Sequence, residues 1–378
     1  MKTDHAFIGL DHLRAVAISL VFLYHYTNFQ HPDWMNNSFI HFGWCGVDLF
    51  FVLSGFLISN QLIESWQKRQ QIPFRQFYIK RIFRICPPYF FVLLIYIFIP
   101  AFHERETLAP LWKMFTFTQN YGQDIRRYGT FSHAWSLCVE EQFYLLLPLI
   151  LMWVFSSGMK KKSGWLIPAI FLFTIFLRWI TWEFFLKQNI ESDDFGMEWY
   201  KLIYYPTYTR LDGLMVGVSI AALYRFRESW LVPVKRYANP MIIGGSILFA
   251  LSLFLCMDQH AAGATIFAFS LIAIAFGVFV LSAILPGSLL YRTKSVITEN
   301  LATLSYSLYL SHKGIIHLTQ KWFTGLGIPG DSYWMLLICM ITCICGALLM
   351  RILIEKPFFR MRNKILQMAR DVPIRAVP

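Results

Sequence analysis

Charge is what this chain has least of: only 15% of its 378 residues are Asp, Glu, Lys or Arg, against 56% apolar and 18% aromatic. A soluble protein cannot cover that much apolar surface with so few polar groups. No stretch reads as a soluble domain or as low-complexity sequence, and no convincing internal symmetry is present. Cysteine is sparse and unpatterned: Cys45, Cys86, Cys138, Cys256, Cys339, Cys343 and Cys345 lie mostly inside apolar stretches. Their spacing suits no metal, and an odd count does not suggest a disulfide framework, so they read as reduced packing residues. No small-residue cleavage site follows the first apolar segment, which begins at Ala6 and carries Asp11, His12 and Arg14. It therefore reads as a retained helix and not a signal peptide.

Long apolar stretches are there instead, one after another. A spanning helix needs roughly 20 mostly apolar residues, and the pattern predicts an all-α polytopic membrane protein with about ten such helices. The spans fall at roughly 6–29, 41–63, 82–100, 134–156, 164–185, 205–225, 239–257, 262–285, 298–320 and 332–354, with edges good to a few residues. Residues 1–357 read as the transmembrane domain and 358–378 as a basic tail. With both termini cytoplasmic, one set of loops holds Lys68, Arg69, Arg75, Lys80, Arg81, Arg84, Lys160 to Lys162, Arg225, Arg227, Lys235, Arg236, Arg292 and Lys294. The tail adds Lys356, Arg360, Arg362, Lys364, Arg370 and Arg375 to the same side, as the positive-inside rule expects. The net charge of +12 then follows from topology and attraction to anionic lipid, and nucleic acid is not needed to explain it.

An ionisable side chain in a spanning segment is costly unless paired or facing water, so each is a functional candidate. Arg14 and His25 lie eleven residues apart, close to three turns, on one helix face and about 16 Å apart along it. An inward-reaching Arg14 and an interfacial His25 are the plain alternative. The run from Gly46 to Ile58 sets Asp48 between Gly46 and Gly55, where the acid needs a cationic or donor partner. Lys80, Arg81 and Arg84 open the third span, with Lys80 and Arg84 on one face able to clamp phosphates, or else merely to anchor the span. Glu140 and Glu141 are adjacent near the start of the fourth span and cannot both be comfortable, so at least one needs a base or cation, His25 and Arg210 being the candidates. Arg210 and Asp212 stand at one end of the sixth span and His312-Lys313 interrupts the ninth. A mutually neutralised structural cluster is the alternative to a site.

These residues resemble the type 3 membrane acyltransferases that O-acylate bacterial surface and secreted glycans. The resemblance rests on Arg14 and His25 after Gly9-Leu10-Asp11, GVDLFFVLSGFLIS at 46–59, KRIFR at 80–84 followed by Pro87, WSLCVEEQFY at 135–144, RLDGLMVG at 210–217, SYSLYLSH at 305–312 and Glu355-Lys356-Pro357. It implies a ten-helix acyltransferase core in a bacterial inner membrane, here without the extracytoplasmic hydrolase-like domain that many members carry. It implies an acyl-CoA donor, most simply acetyl-CoA, arriving from the cytoplasm with its phosphates on Lys80, Arg81 and Arg84 and with Arg14 between donor and reaction centre. His25 would be the general base or would itself accept the acyl group, and Glu140 or Glu141 would orient it. Asp48, Arg210, Asp212 and His312 would support the site. The acceptor would be a hydroxyl of a glycan or lipid-linked saccharide.

Neither a nucleophilic-serine motif nor a metal triad competes with the histidine. The rival is an ion-coupled transporter using the same His, Glu and Arg residues as a proton relay. A non-catalytic membrane scaffold is the third reading, though it has no use for so many buried charges. Acceptor choice would lie in loops such as 101–133 and 186–204, where the aromatics between Phe102 and Ser132 suit sugar stacking and loop packing equally.

Overall fold

A computed structural model describes residues 7–157 and 165–371. Lys160 to Lys162 and Arg375, used above to orient the chain, lie outside them, as does the side chain of Arg370. The described residues hold no strand, only an isolated bridge between Leu108 and Thr130.

Ten long helices follow the ten expected spans: α1 Ile8–Tyr26, α2 Gly46–Arg69, α3 Phe74–Phe98, α4 Trp135–Ser156, α5 Leu166–Thr181, α6 Asp212–Phe226, α7 Ala238–Leu255, α8 Phe269–Ile284, α9 Val296–Gly325 and α10 Tyr333–Met350. An amphipathic helix, α11 Lys356–Asp371, completes the described chain. Among the described residues, eight segments are long and apolar enough to cross a membrane. The two that are not are α6 and α9. With 15 residues, α6 reaches only about 22 Å. At 30 residues α9 is long enough, but it carries Glu299, Lys313 and Lys321. Much of both helices is buried in protein, Ser307, Ser311, His312 and Lys313 of α9 included, so protein and not lipid solvates their polar groups. The third helix starts eight residues before the expected edge, at Phe74, and takes Lys80, Arg81 and Arg84 into its first turns. Lys and Arg are good helix formers, and hydropathy alone cannot see a helix continuing past the apolar boundary.

The chain divides into two compact units. The first comprises Met1–His25, Asn36–Ile72 and Arg105–Thr303; the second comprises Tyr26–Met35, Pro73–Glu104 and Leu304–Pro378. In the first, α2 packs along α6 at very short range. A Cβ on Gly55 would stand 2.2 Å from the carbonyl oxygen of Leu214, and one on Gly217 would stand 2.3 Å from that of Val52. Only glycine permits this approach, and it sets the first turns of α2 and α6, with Asp48 and Asp212, side by side. The α1 helix meets the start of α2 at Gly46, where a Cβ would lie 2.6 Å from the Ala17 carbonyl oxygen. At its other end His12 ties α1 to the stretch before α9 through the Thr293 carbonyl oxygen at 2.9 Å and to the first turn of α9 through Thr298 Oγ1 at 2.8 Å.

In the second unit α11 runs against α3, with Phe83 and Phe358 rings 6.4 Å apart. The wide turn Arg351–Glu355 between α10 and α11 buries Glu355, which accepts a short hydrogen bond from Ser307. Tyr306 donates to the Ile85 carbonyl at 2.9 Å, just before Pro87 and Pro88 interrupt the amide ladder of α3.

Gly217→Ala should lower the unfolding temperature in detergent by several degrees, because backbone atoms must move apart at a cost of about 1–3 kcal/mol. Gly244→Ala on α7, where a Cβ meets nothing within 4 Å, should leave that temperature unchanged or raise it. Equal behaviour of the two variants in a thermal melt would refute the close-packing account.

Candidate active site

Four charges are buried together where α2, α5, α6 and α8 meet. Arg210 donates through Nη2 to Asp48 Oδ1 at 2.7 Å, and Arg178 donates through Nη1 to Asp212 Oδ2 at 2.7 Å. All four side chains are at most 2% exposed. The two acids sit in the first turns of α2 and α6, where the positive end of each helix favours a carboxylate. Arg178 spends its other donors on the Thr209 carbonyl at 2.9 Å, the Ile266 carbonyl at 3.0 Å and Ser270 Oγ at 2.6 Å. Ser270 in turn donates to Asp212 at 2.9 Å. Ile266 lies in the wide turn Ala264–Ala268 that leads into α8, where the ordinary ladder is displaced and a carbonyl can face sideways. The Arg210 guanidinium is held differently: Phe269, Tyr204 and Trp135 rings lie 3.8, 4.8 and 5.5 Å from its Cζ. Its Nε and Nη1 have no oxygen partner, so ring faces do much of the solvating.

Arg178 was not among the residues singled out from the sequence. The signal was available, since a lone arginine between Phe173 and Trp182 in an apolar helix is a costly residue by the same rule that marked Arg14. Sequence reasoning also offered Arg210 as a partner for Glu140 or Glu141. The structure corrects this: Arg210 makes its ion pair with Asp48, because the α2–α6 contact puts that acid nearer.

At the end of α1 lies His25, in the last turn and half-buried. Its ring meets the ring of His133 edge-on, centroids 5.8 Å apart, and that of Tyr24 at 5.4 Å. His133 belongs to the short turn Ser132–Ala134 that opens α4, and the ring of Phe131 stands against it at 5.2 Å. Phe131 has φ +56°, a conformation that side-chain-bearing residues rarely hold unless their surroundings impose it. Two turns into α4, Glu140 accepts from Ser54 of α2 at 2.8 Å and from Tyr144 at 3.0 Å, so the serine of the GVDLFFVLSGFLIS stretch positions this acid. Glu141 is half-buried. The loop before α4 is clamped by Gln142, which donates to the Phe117 carbonyl at 2.8 Å and Asn120 Oδ1 at 3.1 Å while accepting from Tyr121 and Thr207.

The other expected residues are dispersed. Arg14 pairs with Asp11 at 3.1 Å, both about a quarter exposed. In the second unit Arg81 lies 5.7 Å from the Phe77 ring, Lys80 is half-buried and Arg84 exposed. Also in that unit, the His312 ring bonds to the Leu308 and Tyr309 carbonyls of its own helix. Its neighbour Lys313 forms a buried pair with Glu104 at 3.1 Å, an acid the sequence reading did not name. No group of three potential metal ligands occurs among the described residues.

Fold and buried charges thus define a polytopic all-α membrane protein built around a polar core. Residues 7–352 match the family described as an acyltransferase domain, and the chain belongs to that type 3 acyltransferase family. It is 30% identical over 327 residues to peptidoglycan O-acetyltransferase OatA of Listeria monocytogenes, covering 82% of this chain and 49% of that protein. It is 27% identical over 346 residues to O-acetyltransferase OatA of Staphylococcus aureus, covering 86% and 53%. The chain therefore spans about half the length of the curated relatives it matches. No solved structure matches it.

Removing one partner of a buried pair strands a charge, at a cost of about 3–5 kcal/mol, whereas replacing both by apolar groups is often neutral. Arg178→Leu should therefore abolish recovery of folded protein from detergent. Adding Asp212→Leu to it should restore a cooperative melt. A double variant no better than the single one would show that Arg178 acts through its carbonyl and serine partners instead.

Proposed function

We propose that this chain is an O-acetyltransferase that moves an acetyl group from acetyl-CoA to a hydroxyl of a cell-envelope glycan, with His25 as the group that takes the hydroxyl proton. The observation that carries the reading is the edge-on pairing of His25 with His133, in the same unit as a compensated polar core, in a family whose matched relatives bear O-acetyltransferase names. An imidazole can be neutral near pH 7 and so available as a base. As the acceptor oxygen attacks the thioester carbon, its proton passes to His25, the carbon–sulfur bond breaks, and coenzyme A leaves as thiolate. A nearby carboxylate offsets the imidazolium so formed; Glu140, fixed by Ser54 and Tyr144, is assigned that part, with Glu141 beside it. Arg14 and the basic run at Lys80, Arg81 and Arg84 are assigned to the donor's phosphates and diphosphate linkage. Asp48, Arg210 and Asp212 support the site by fixing α2 against α6, and His312 is kept as a supporting residue of the second unit.

The clustering of lysine and arginine in alternate loops supports a bacterial inner-membrane protein with both described ends of the chain on the cytoplasmic side. Residues 358–378 are then a basic tail at that face, and α11 lays its cations beside anionic lipid.

In detergent or isolated membranes, His25→Ala should reduce transfer of label from acetyl-CoA to envelope glycan by a factor of about 10² or more. Arg84→Ala should instead raise the half-saturating concentration of acetyl-CoA while leaving that of the acceptor in place. Full transfer by His25→Ala would end the proposal.

A further inference from the structure

Two buried amides near the histidine pair are only half satisfied. Gln119 donates through Nε2 to the Phe131 carbonyl at 3.4 Å, and Gln123 donates through Nε2 to the Ser132 carbonyl at 3.0 Å. They are 1% and 4% exposed, and Oε1 of each is buried with no hydrogen-bond partner. Rotating either amide would set its oxygen against a backbone carbonyl, so the orientation is fixed by chemistry: nitrogens to the turn, oxygens away from it. Leaving such an acceptor dry and unpaired costs about 1–3 kcal/mol, which makes two of them at one place unusual. Both hang on the two residues that immediately precede His133, whose ring touches that of His25. The left-handed conformation at Phe131 turns these carbonyls toward the amides, so the local strain and the orphan oxygens belong to one device.

Between the two glutamines the chain reaches the surface. Tyr121 is 38% exposed and stacks on Tyr208, itself 41% exposed, with centroids 6.4 Å apart and planes 18° from parallel. Exposed ring faces on the same short segment as unpaired acceptors suit a ligand with apolar C–H faces and hydroxyl edges, which is the surface chemistry of a pyranose.

We propose that residues 119–123 form the subsite for the acceptor sugar: Gln119 and Gln123 accept hydrogen bonds from its hydroxyl or amide N–H groups, Tyr121 and Tyr208 give it a stacking face, and the next hydroxyl is thereby presented to His25. The glutamines are positioning residues here and take no part in bond making. This deepens the acetyl-transfer reading and rests on it. An acceptor that offers no donor at these two points leaves both oxygens stranded, so the pair selects by penalty as much as by attraction.

The test uses membranes containing the full chain, labelled acetyl-CoA, and base-treated envelope glycan titrated as acceptor. Gln119→Met and Gln123→Met remove the unpaired oxygen together with the donor to the turn, at similar length; each should lower the melt by a few degrees yet leave the protein folded, and should raise the acceptor's half-saturating concentration about tenfold with the donor's unchanged. Gln123→Glu, kept protonated by burial, can donate its O–H to the Ser132 carbonyl and leave its second oxygen free, and should return acceptor affinity toward the wild-type value. Unchanged acceptor dependence in melting-competent Met variants would mean that water fills the site, and would overturn the proposal. Parallel loss of the melt and of both substrate dependences, without rescue by Gln123→Glu, would mark the glutamines as scaffold and overturn it too. Absence of label transfer by the wild-type chain is a separate outcome: it removes the acetyl-transfer reading, and this subsite with it.

Discussion

The first unit is organised around two guanidinium groups and two carboxylates that neutralise one another away from water. Arg178 with Asp212 and Arg210 with Asp48 have no net charge as a set, which is the condition for placing four ions among apolar helices. Each pair joins two helices: α5 to α6 and α2 to α6. The price of desolvation is met differently at the two arginines, by carbonyl and hydroxyl oxygens at Arg178 and by aromatic faces at Arg210. Neither arrangement works unless α2 and α6 approach to backbone distance, and Gly55 and Gly217 allow that. Small residues at the seam and charges above it are therefore one feature of the packing.

That arrangement also determines what the histidine can do. Asp48 and Asp212 are committed to arginines, so their charge is unavailable to His25. The groups that face the imidazole come from the other side, through α4 and the turn at Ser132–Ala134. Ser54 links the two halves: it belongs to α2 but bonds to Glu140 of α4. A single helix thus carries the acid that fixes the scaffold and the hydroxyl that positions a carboxylate one and a half turns further on.

Much of this was legible in the sequence, and the reasons differ by feature. The ten helices emerge because a bilayer imposes a length and a polarity that few residues can violate. The need of Asp48 for a cationic or donor partner was readable because an unpaired acid in lipid is costly, even with a capping acid on a packing helix as the plain alternative. Its partner was not, since Arg210 is 162 residues away and several acids competed for it on paper. Arg178 escaped notice because it lies outside every familiar string, although its cost in an apolar helix is as high as that of the residues inside them. The glutamines at 119 and 123 were invisible for a deeper reason. Neutral amides in a loop carry no alarm until the backbone at Phe131 is known to be left-handed and the carbonyls they touch are known to point inward.

Buried polar groups therefore divide into two physical kinds. Every guanidinium nitrogen of Arg178 has a partner, and such a group has little left to offer a ligand. The oxygens of Gln119 and Gln123 are held rigidly by their own nitrogens yet receive nothing. Rigid, buried and unsatisfied is an unstable combination by itself, since a flexible site would simply turn the amide toward a donor. Its persistence needs either trapped solvent or a visiting donor, and under the proposed acetyl transfer the path that brings a hydroxyl to His25 would bring such a donor. In a protein poor in charge, this incomplete hydrogen bonding says more about where substrate belongs than the ion pairs do.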